Sequence, residues 1–154
     1  MKRILGIWMI MSLLGMGMAY AGVEVTLKSY QKARKEGKIV WVKAKKVIPG
    51  TTVKYVNVVH NREPEAIRNL VLRNDIPEHM RYISGSTKCK KHCTVSFSVD
   101  RGKHFGKPAK LMVKDKKTGK IRKAKPSEYT TVKWVIDELL PGEKTMVSYK
   151  AKLL

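Results

Sequence analysis

The chain has 154 residues, with 33 Lys+Arg against 12 Asp+Glu and a formal charge of +21 at pH 7. That length makes one domain with a core of its own, and so large a charge speaks to solubility and partners rather than to fold. The few, dispersed acids and the scattered His60, His79 and His104 assemble no carboxylate dyad and no hydrolytic triad, so the sequence reads as non-enzymatic.

The chain opens on Lys2 and Arg3, an apolar run from Ile4 to Met18, and the small-x-small pattern Ala19-Tyr20-Ala21. This is the layout of a secretory signal peptide, with cleavage expected after Ala21. The apolar run is shorter than the roughly 20 residues that cross a bilayer, and no later stretch is apolar enough to span. The expected product is an exported protein, periplasmic or on the cell surface of a bacterium, with a charge of 21 − 2 = +19 after Lys2 and Arg3 are lost.

Strand signals dominate the rest of the chain. SYQKARKEGK (29–38) has good helix formers, but its only apolar residues are Tyr30 and Ala33. It reads as one surface turn of helix or as a charged edge strand. KIVWVKA (38–44), TVKYVNVV (52–59), LVLRND (70–75), MRYISGS (80–86), TVSFSVD (94–100), TTVKWVID (130–137) and KTMVSYKAKL (144–153) are rich in β-branched and aromatic residues. Val53, Tyr55 and Asn57 point one way and Lys54, Val56 and Val58 the other. Val95, Phe97 and Val99 likewise form an apolar face. Pro49-Gly50, Asn61 to Pro64, Ile76-Pro77, Asp100 to Gly102, Lys117 to Gly119 and Pro141-Gly142 break the runs as turns. Short strands between such breaks predict an all-β sandwich or barrel in a single domain, with no repeat and no linker.

Three segments carry a resemblance. VIPGTTVKYVNVVHN is a Pro-Gly turn into a strand that closes on Asn61. AIRNLVLRNDIPEHMRYISGS ends one strand at Asp75-Ile76-Pro77 and the next at Tyr82 to Ser86. AKPSEYTTVKWVIDELLPGEKTMVSYKAKL holds Trp134, a second Pro-Gly turn and a final alternating strand. In this order, from about Lys46 to Leu153, the chain resembles the conserved-repeat domain of bacterial surface and envelope proteins, catalogued as domain of unknown function eleven. The resemblance implies an immunoglobulin-like antiparallel β-sandwich and an extracytoplasmic role as spacer, adhesion or assembly module. It implies no catalytic residues and no cofactor. The expected organisation is a signal peptide at 1–21, an N-terminal strand or basic segment at 22–45, and the sandwich at 46–154. Trp134, Tyr55, Phe97, Val135 and Tyr149 are the expected inward residues of its core.

Three features stand apart from the core. The first is TKCKKHC, which holds both cysteines, Cys89 and Cys93. Export puts them where disulfides persist, and two cysteines at the neck of a loop can reach bridging distance. We read them as a structural disulfide. The alternatives are a soft metal site of Cys89, His92 and Cys93, completed by Met112 or His104, and a redox pair whose thiols Lys88, Lys90, Lys91 and His92 would acidify. The second is Ser98-Val-Asp100-Arg-Gly102-Lys-His-Phe105, which resembles the Asp-box hairpin of sialidase-like propellers. That motif is structural, so Asp100 and Gly102 are expected to be turn residues.

The third is a basic tract. From Arg101 to Lys125 the chain has eleven Lys/Arg with only Asp115 opposing them. It predicts a charged hairpin or long loop with Thr118-Gly119 at its tip. Lys114, Lys116, Lys117, Lys120, Arg122, Lys123 and Lys125 are candidate contacts for a polyanion, through salt-dependent charge neutralisation. Phe105 is the tract's only aromatic residue, which argues against base stacking and sequence-specific nucleic-acid recognition. The sequence thus favours an exported, non-enzymatic envelope module whose partner is an envelope protein or an anionic polymer or lipid surface. The other readings are a metal-binding or redox accessory protein, and a polyanion binder using residues 101–125.

Overall fold

A computed structural model describes residues 22–154; the expected signal peptide, 1–21, lies outside the described residues. In chain order the strands are β1 (Val23–Lys35), β2 (Lys38–Lys43), β3 (Thr52–Asn61), β4 (Ile67–Asp75), β5 (Met80–Tyr82), β6 (Lys88–Cys89), β7 (Cys93–Ser98), β8 (Met112–Lys114), β9 (Ile121–Lys123), β10 (Thr131–Leu139) and β11 (Lys144–Leu153). Two short 3-10 turns, Pro108–Lys110 and Pro126–Glu128, each open on a proline whose fixed φ suits the first helical position.

Two antiparallel sheets pack face to face as a sandwich. Sheet A runs β2-β1-β3-β11-β5, with β6 also paired to β11; sheet B runs β4-β10-β7; β8 and β9 form a separate hairpin. The period-two pattern builds the core between the sheets. Val53, Tyr55, Asn57 and Val59 of β3 lie opposite Ala151, Tyr149, Val147 and Thr145 of β11, and every one of them is buried. From sheet B, Val132, Trp134 and Ile136 of β10 face them, flanked by Leu70 and Leu72 of β4 and by Val95 and Phe97 of β7. Tyr55 stacks on Tyr149 at 5.1 Å, Phe97 on Tyr129 at 4.6 Å, and Trp134 lies tilted to Tyr149 at 6.2 Å. Aromatic pairs of this kind add about 0.5–1.5 kcal/mol beyond the area they bury.

Two buried asparagines tie the sandwich together. Asn57 Nδ2 donates to Asn74 Oδ1 at 2.8 Å, tying β3 of one sheet to β4 of the other. Asn61, fully buried, donates from Nδ2 to the carbonyls of Glu65 at 2.8 Å, Leu139 at 3.0 Å and Leu140 at 3.1 Å. Its Oδ1 accepts from the Glu63 amide at 2.9 Å. This one side chain therefore clasps the end of β3 to the end of β10. Both expected Pro-Gly turns form, with φ of +89° at Gly50 and +70° at Gly142 and closing hydrogen bonds of 3.0 Å from Thr51 N to Ile48 O and from Glu143 N to Leu140 O.

Two expectations need correction. Val135 is not an inward residue: it is half-buried and adjoins Trp134, so strand alternation turns it to the outer face of sheet B. Residues 29–38 form no turn of helix: 29–35 are the second half of β1, of which 32–35 pair with β2 alone, and Lys38 opens β2, the edge strand of sheet A, so the charged-edge reading holds for these residues. A tight turn at Glu36-Gly37, with φ of +49° and +77°, folds β2 back outside β1, so that Tyr30 and Gln31 pair on both sides. The apolar alternation of Val23, Val25 and Leu27 stops there because Gln31, Ala33 and Lys35 take the inner-face positions.

Candidate interaction surfaces

Cys89 and Cys93 are joined in a disulfide, with Cα atoms 6.6 Å apart. Cys89 pairs with Val147 in sheet A and Cys93 with Ile136 in sheet B. The bridge therefore ties one sheet to the other across a five-residue crossing, more than the strand entrance that the sequence suggested. Lys91 reinforces the loop by donating to Glu143 at 2.7 Å, and the Asp137 amide donates to His92 O at 3.2 Å. Chain entropy alone gives a loop this small about 2 kcal/mol. In a disulfide neither sulfur has a thiolate to offer a metal. His92 is exposed, and His104 sits at the other end of β7, bound to Asp100. Among the described residues no group of three or more His, Cys, Asp or Glu side chains is placed to hold a metal ion.

The Asp100 turn is built as its resemblance implies. Ser98 Oγ donates to Asp100 Oδ1 at 2.6 Å and accepts from the Gly102 amide at 2.9 Å. Asp100 also accepts the His104 amide at 3.0 Å and meets His104 Nδ1 at 2.6 Å. Ser98 first, then His104, holds the Asp100 carboxyl well below the usual carboxylate range. Both oxygens of that carboxylate are engaged in fixing the turn. Phe105 is carried onto the outer face of sheet B, beneath Lys133 at 4.2 Å and Arg73 at 4.9 Å from its ring centre.

The basic tract forms the expected hairpin, β8–β9, with Asp115 organising its turn by accepting from the Lys117 and Thr118 amides at 3.0 Å each. One of its seven candidate cations is committed elsewhere. Arg122 donates to Asp115 at 2.9 Å and to Glu128 at 2.7 and 2.9 Å. That guanidinium, with the Lys125 amide second, lowers the Glu128 pKa to about 2. Lys114, Lys116, Lys117, Lys120, Lys123 and Lys125 are exposed, and none is ion-paired among the described residues. The hairpin lies beside β7 and β5: Gly106 bridges Phe97 on the outer edge of β7, and the turn Pro126–Glu128 packs on β5.

The opposite flank is open. Sheet A has five strands across its main path and sheet B three, so the inner face of β1 is left without a full cover. Val23, Val25 and Leu27 of β1 form one wall of a cleft of about 830 Å³, and Leu70 and Leu72 of β4 form the other. Tyr55, whose hydroxyl has no hydrogen-bond partner among the described residues, lines the same cleft. β4 pairs only with β10, so its second edge runs unpaired along the cleft. No stretch of the sequence announces this surface, because it arises from the unequal width of two sheets. No described helix is long and apolar enough to cross a membrane.

Compared with protein-family models, with curated proteins and with solved structures, the chain matches none. Its own geometry therefore has to carry the functional reading.

Proposed function

We propose that the chain is an exported, non-enzymatic β-sandwich of the immunoglobulin-like, conserved-repeat type, serving the bacterial cell envelope as an interaction module. It engages a protein partner by accepting an extended strand at β4. One observation carries this reading: an unpaired strand edge runs along an apolar cleft that also holds an unpartnered tyrosine hydroxyl. Strand addition supplies backbone partners to such an edge, while alternate side chains of the incoming strand fill the cleft. Leu27, 44 % exposed on the cleft wall, is the apolar surface such a strand would cover. Asn69 has φ of +52° near the start of β4 and interrupts the edge there, which leaves Leu70 to Asp75 as the accepting segment.

The test is hydrogen exchange on the chain bound to a partner isolated from envelope extract. Edge amides within Leu70–Asp75 are expected to gain protection in the complex, and Leu27→Lys is expected to abolish capture without lowering the unfolding midpoint. A bound partner that leaves β4 unprotected contradicts the reading.

A further inference from the structure

The outer face of sheet A carries charge in an arrangement that the fold itself does not balance. Alternation places Lys28 and Lys32 of β1, Lys54 of β3, Lys150 and Lys152 of β11, and Arg81 of β5 on this one face. Lys54 lies directly opposite Lys150, and Lys152 directly opposite Arg81. Like charges in register across a sheet are destabilising. Glu24 is the only acid that the register puts on this face among the described residues, and it is bound to Arg62 at 2.7 Å at the far end of β1.

Trp41 of β2 sits among these cations. The Nζ atoms of Lys150, Lys32 and Lys54 lie 5.4, 5.8 and 6.0 Å from its ring centre. Ile39, two residues before it on the same face, is 65 % exposed. The outer face of sheet B makes a useful contrast. There too a like-charged pair, Arg73 opposite Lys133, sits in register. Both cations lie against Phe105 from the protein's own turn, and Asp75 and Asp137 share that face. Sheet B disposes of its cations internally; sheet A presents them.

We infer that the outer face of sheet A is a docking surface for an anionic lipid bilayer. Its cations are spread over four strands of an open sheet face instead of being gathered in a groove, which is the form that tracks a single polymer strand. A tryptophan and an exposed isoleucine at the β2 margin, bordered by lysines, match the mixture of aromatic, apolar and cationic side chains that settles at the headgroup level. The inference is independent of strand capture at β4, which uses the edge of sheet B and the inner face of β1.

The experiment is vesicle co-sedimentation of the purified chain without the expected signal peptide, residues 22–154, on phosphatidylcholine vesicles with and without about one part in three phosphatidylglycerol; each surface lysine near an anionic membrane contributes roughly five-fold in partitioning. The chain is expected to bind the anionic vesicles, to lose that binding as salt rises, and to bind zwitterionic vesicles no more than background. Replacing Lys32, Lys54, Lys150 and Lys152 by Gln is expected to lower partitioning on the order of 10²–10³-fold. Because these side chains are on the surface and two of them repel each other, the variant should unfold at an equal or higher denaturant midpoint. The matched hairpin variant, with Lys114, Lys116, Lys117 and Lys120 changed to Gln, is expected to lose less than about ten-fold, through long-range attraction alone. Undiminished binding by the sheet variant, an equal or larger loss in the hairpin variant, or binding to long-chain polyphosphate but not to vesicles overturns the inference.

Discussion

The protein has two cationic regions, built on opposite physical principles. The β8–β9 hairpin concentrates its lysines in one stretch of sequence and holds them by a local ion-pair knot, Arg122 with Asp115 and Glu128. The face of sheet A collects its cations from β1, β3, β5 and β11, and fixes them by strand register over the buried core. A dense run of lysines on a small hairpin makes a concentrated, salt-sensitive charge. Lysines placed on alternate residues of a core sheet make a patterned surface whose spacing cannot relax. Conspicuous charge in sequence and organised charge in space are therefore different things in this molecule.

The comparison can be broken most severely from below. Tyr149→Ala removes the inward neighbour of Lys150, stacked on Tyr55 and close to Trp134, and is expected to cost about 3–5 kcal/mol of global stability in urea titration. Sheet-face docking should then disappear together with the fold. Cys89→Ser with Cys93→Ser cuts the tie between the sheets and is expected to cost about 2 kcal/mol, checked by the shift in unfolding midpoint at constant m-value. Non-reduced mass spectrometry of the purified protein should show a mass two hydrogens lighter than the dithiol form; two free thiols would contradict the bridge.

The hairpin should break separately. Arg122→Gln leaves Asp115 and Glu128 without their shared partner, and on this partly exposed knot is expected to cost about 1 kcal/mol or less globally. Its clear signature is faster hydrogen exchange in Met112–Lys114 and Ile121–Lys123 with sheet A unchanged. The same knot predicts a pH response. Glu128 falls from 4.5 to about 2 in the folded protein because Arg122 favours its ionised form. The unfolded chain therefore takes up this proton first as pH falls. The contribution is complete above about 4.5 and is lost as pH drops toward about 2. Glu128→Gln should flatten that part of the hairpin's exchange profile. The smallest effect sharpens the other side of the comparison: Lys54→Gln with Lys150→Gln relieves an in-register repulsion and is expected to raise stability by about 0.2–1 kcal/mol, whereas neutralising Lys116 and Lys117 at the hairpin tip should leave the midpoint in place.

Where the physics is local, the sequence was legible. The Pro-Gly turns at Gly50 and Gly142, the alternation of Val53, Tyr55 and Asn57, and the turn around Asp100 could all be read from a few adjacent residues. The two cysteines could be paired because only four positions separate them. What escaped depends on partners far apart in sequence. β1 beyond Ser29 lacks apolar alternation, so its residues read equally as a polar turn or a charged edge, and only pairing with β2 and, at Tyr30 and Gln31, with β3 decides between them. The cleft results from unequal sheet widths, which no single strand encodes. Lys54 and Lys150 are each one ordinary outward residue of an alternating strand, and only the β3–β11 register makes them a pair. The basic tract, by contrast, stood out at once, yet its most constrained member, Arg122, is engaged inside the molecule.

The central claim is that the organised charge of sheet A, more than the conspicuous charge of the hairpin, meets the anionic partner. Side-by-side partitioning of the two four-lysine variants onto anionic vesicles tests it most directly. We expect a loss on the order of 10²–10³-fold for Lys32, Lys54, Lys150 and Lys152, and less than about ten-fold for Lys114, Lys116, Lys117 and Lys120. Equal losses in the two variants, or the reverse order, would contradict it.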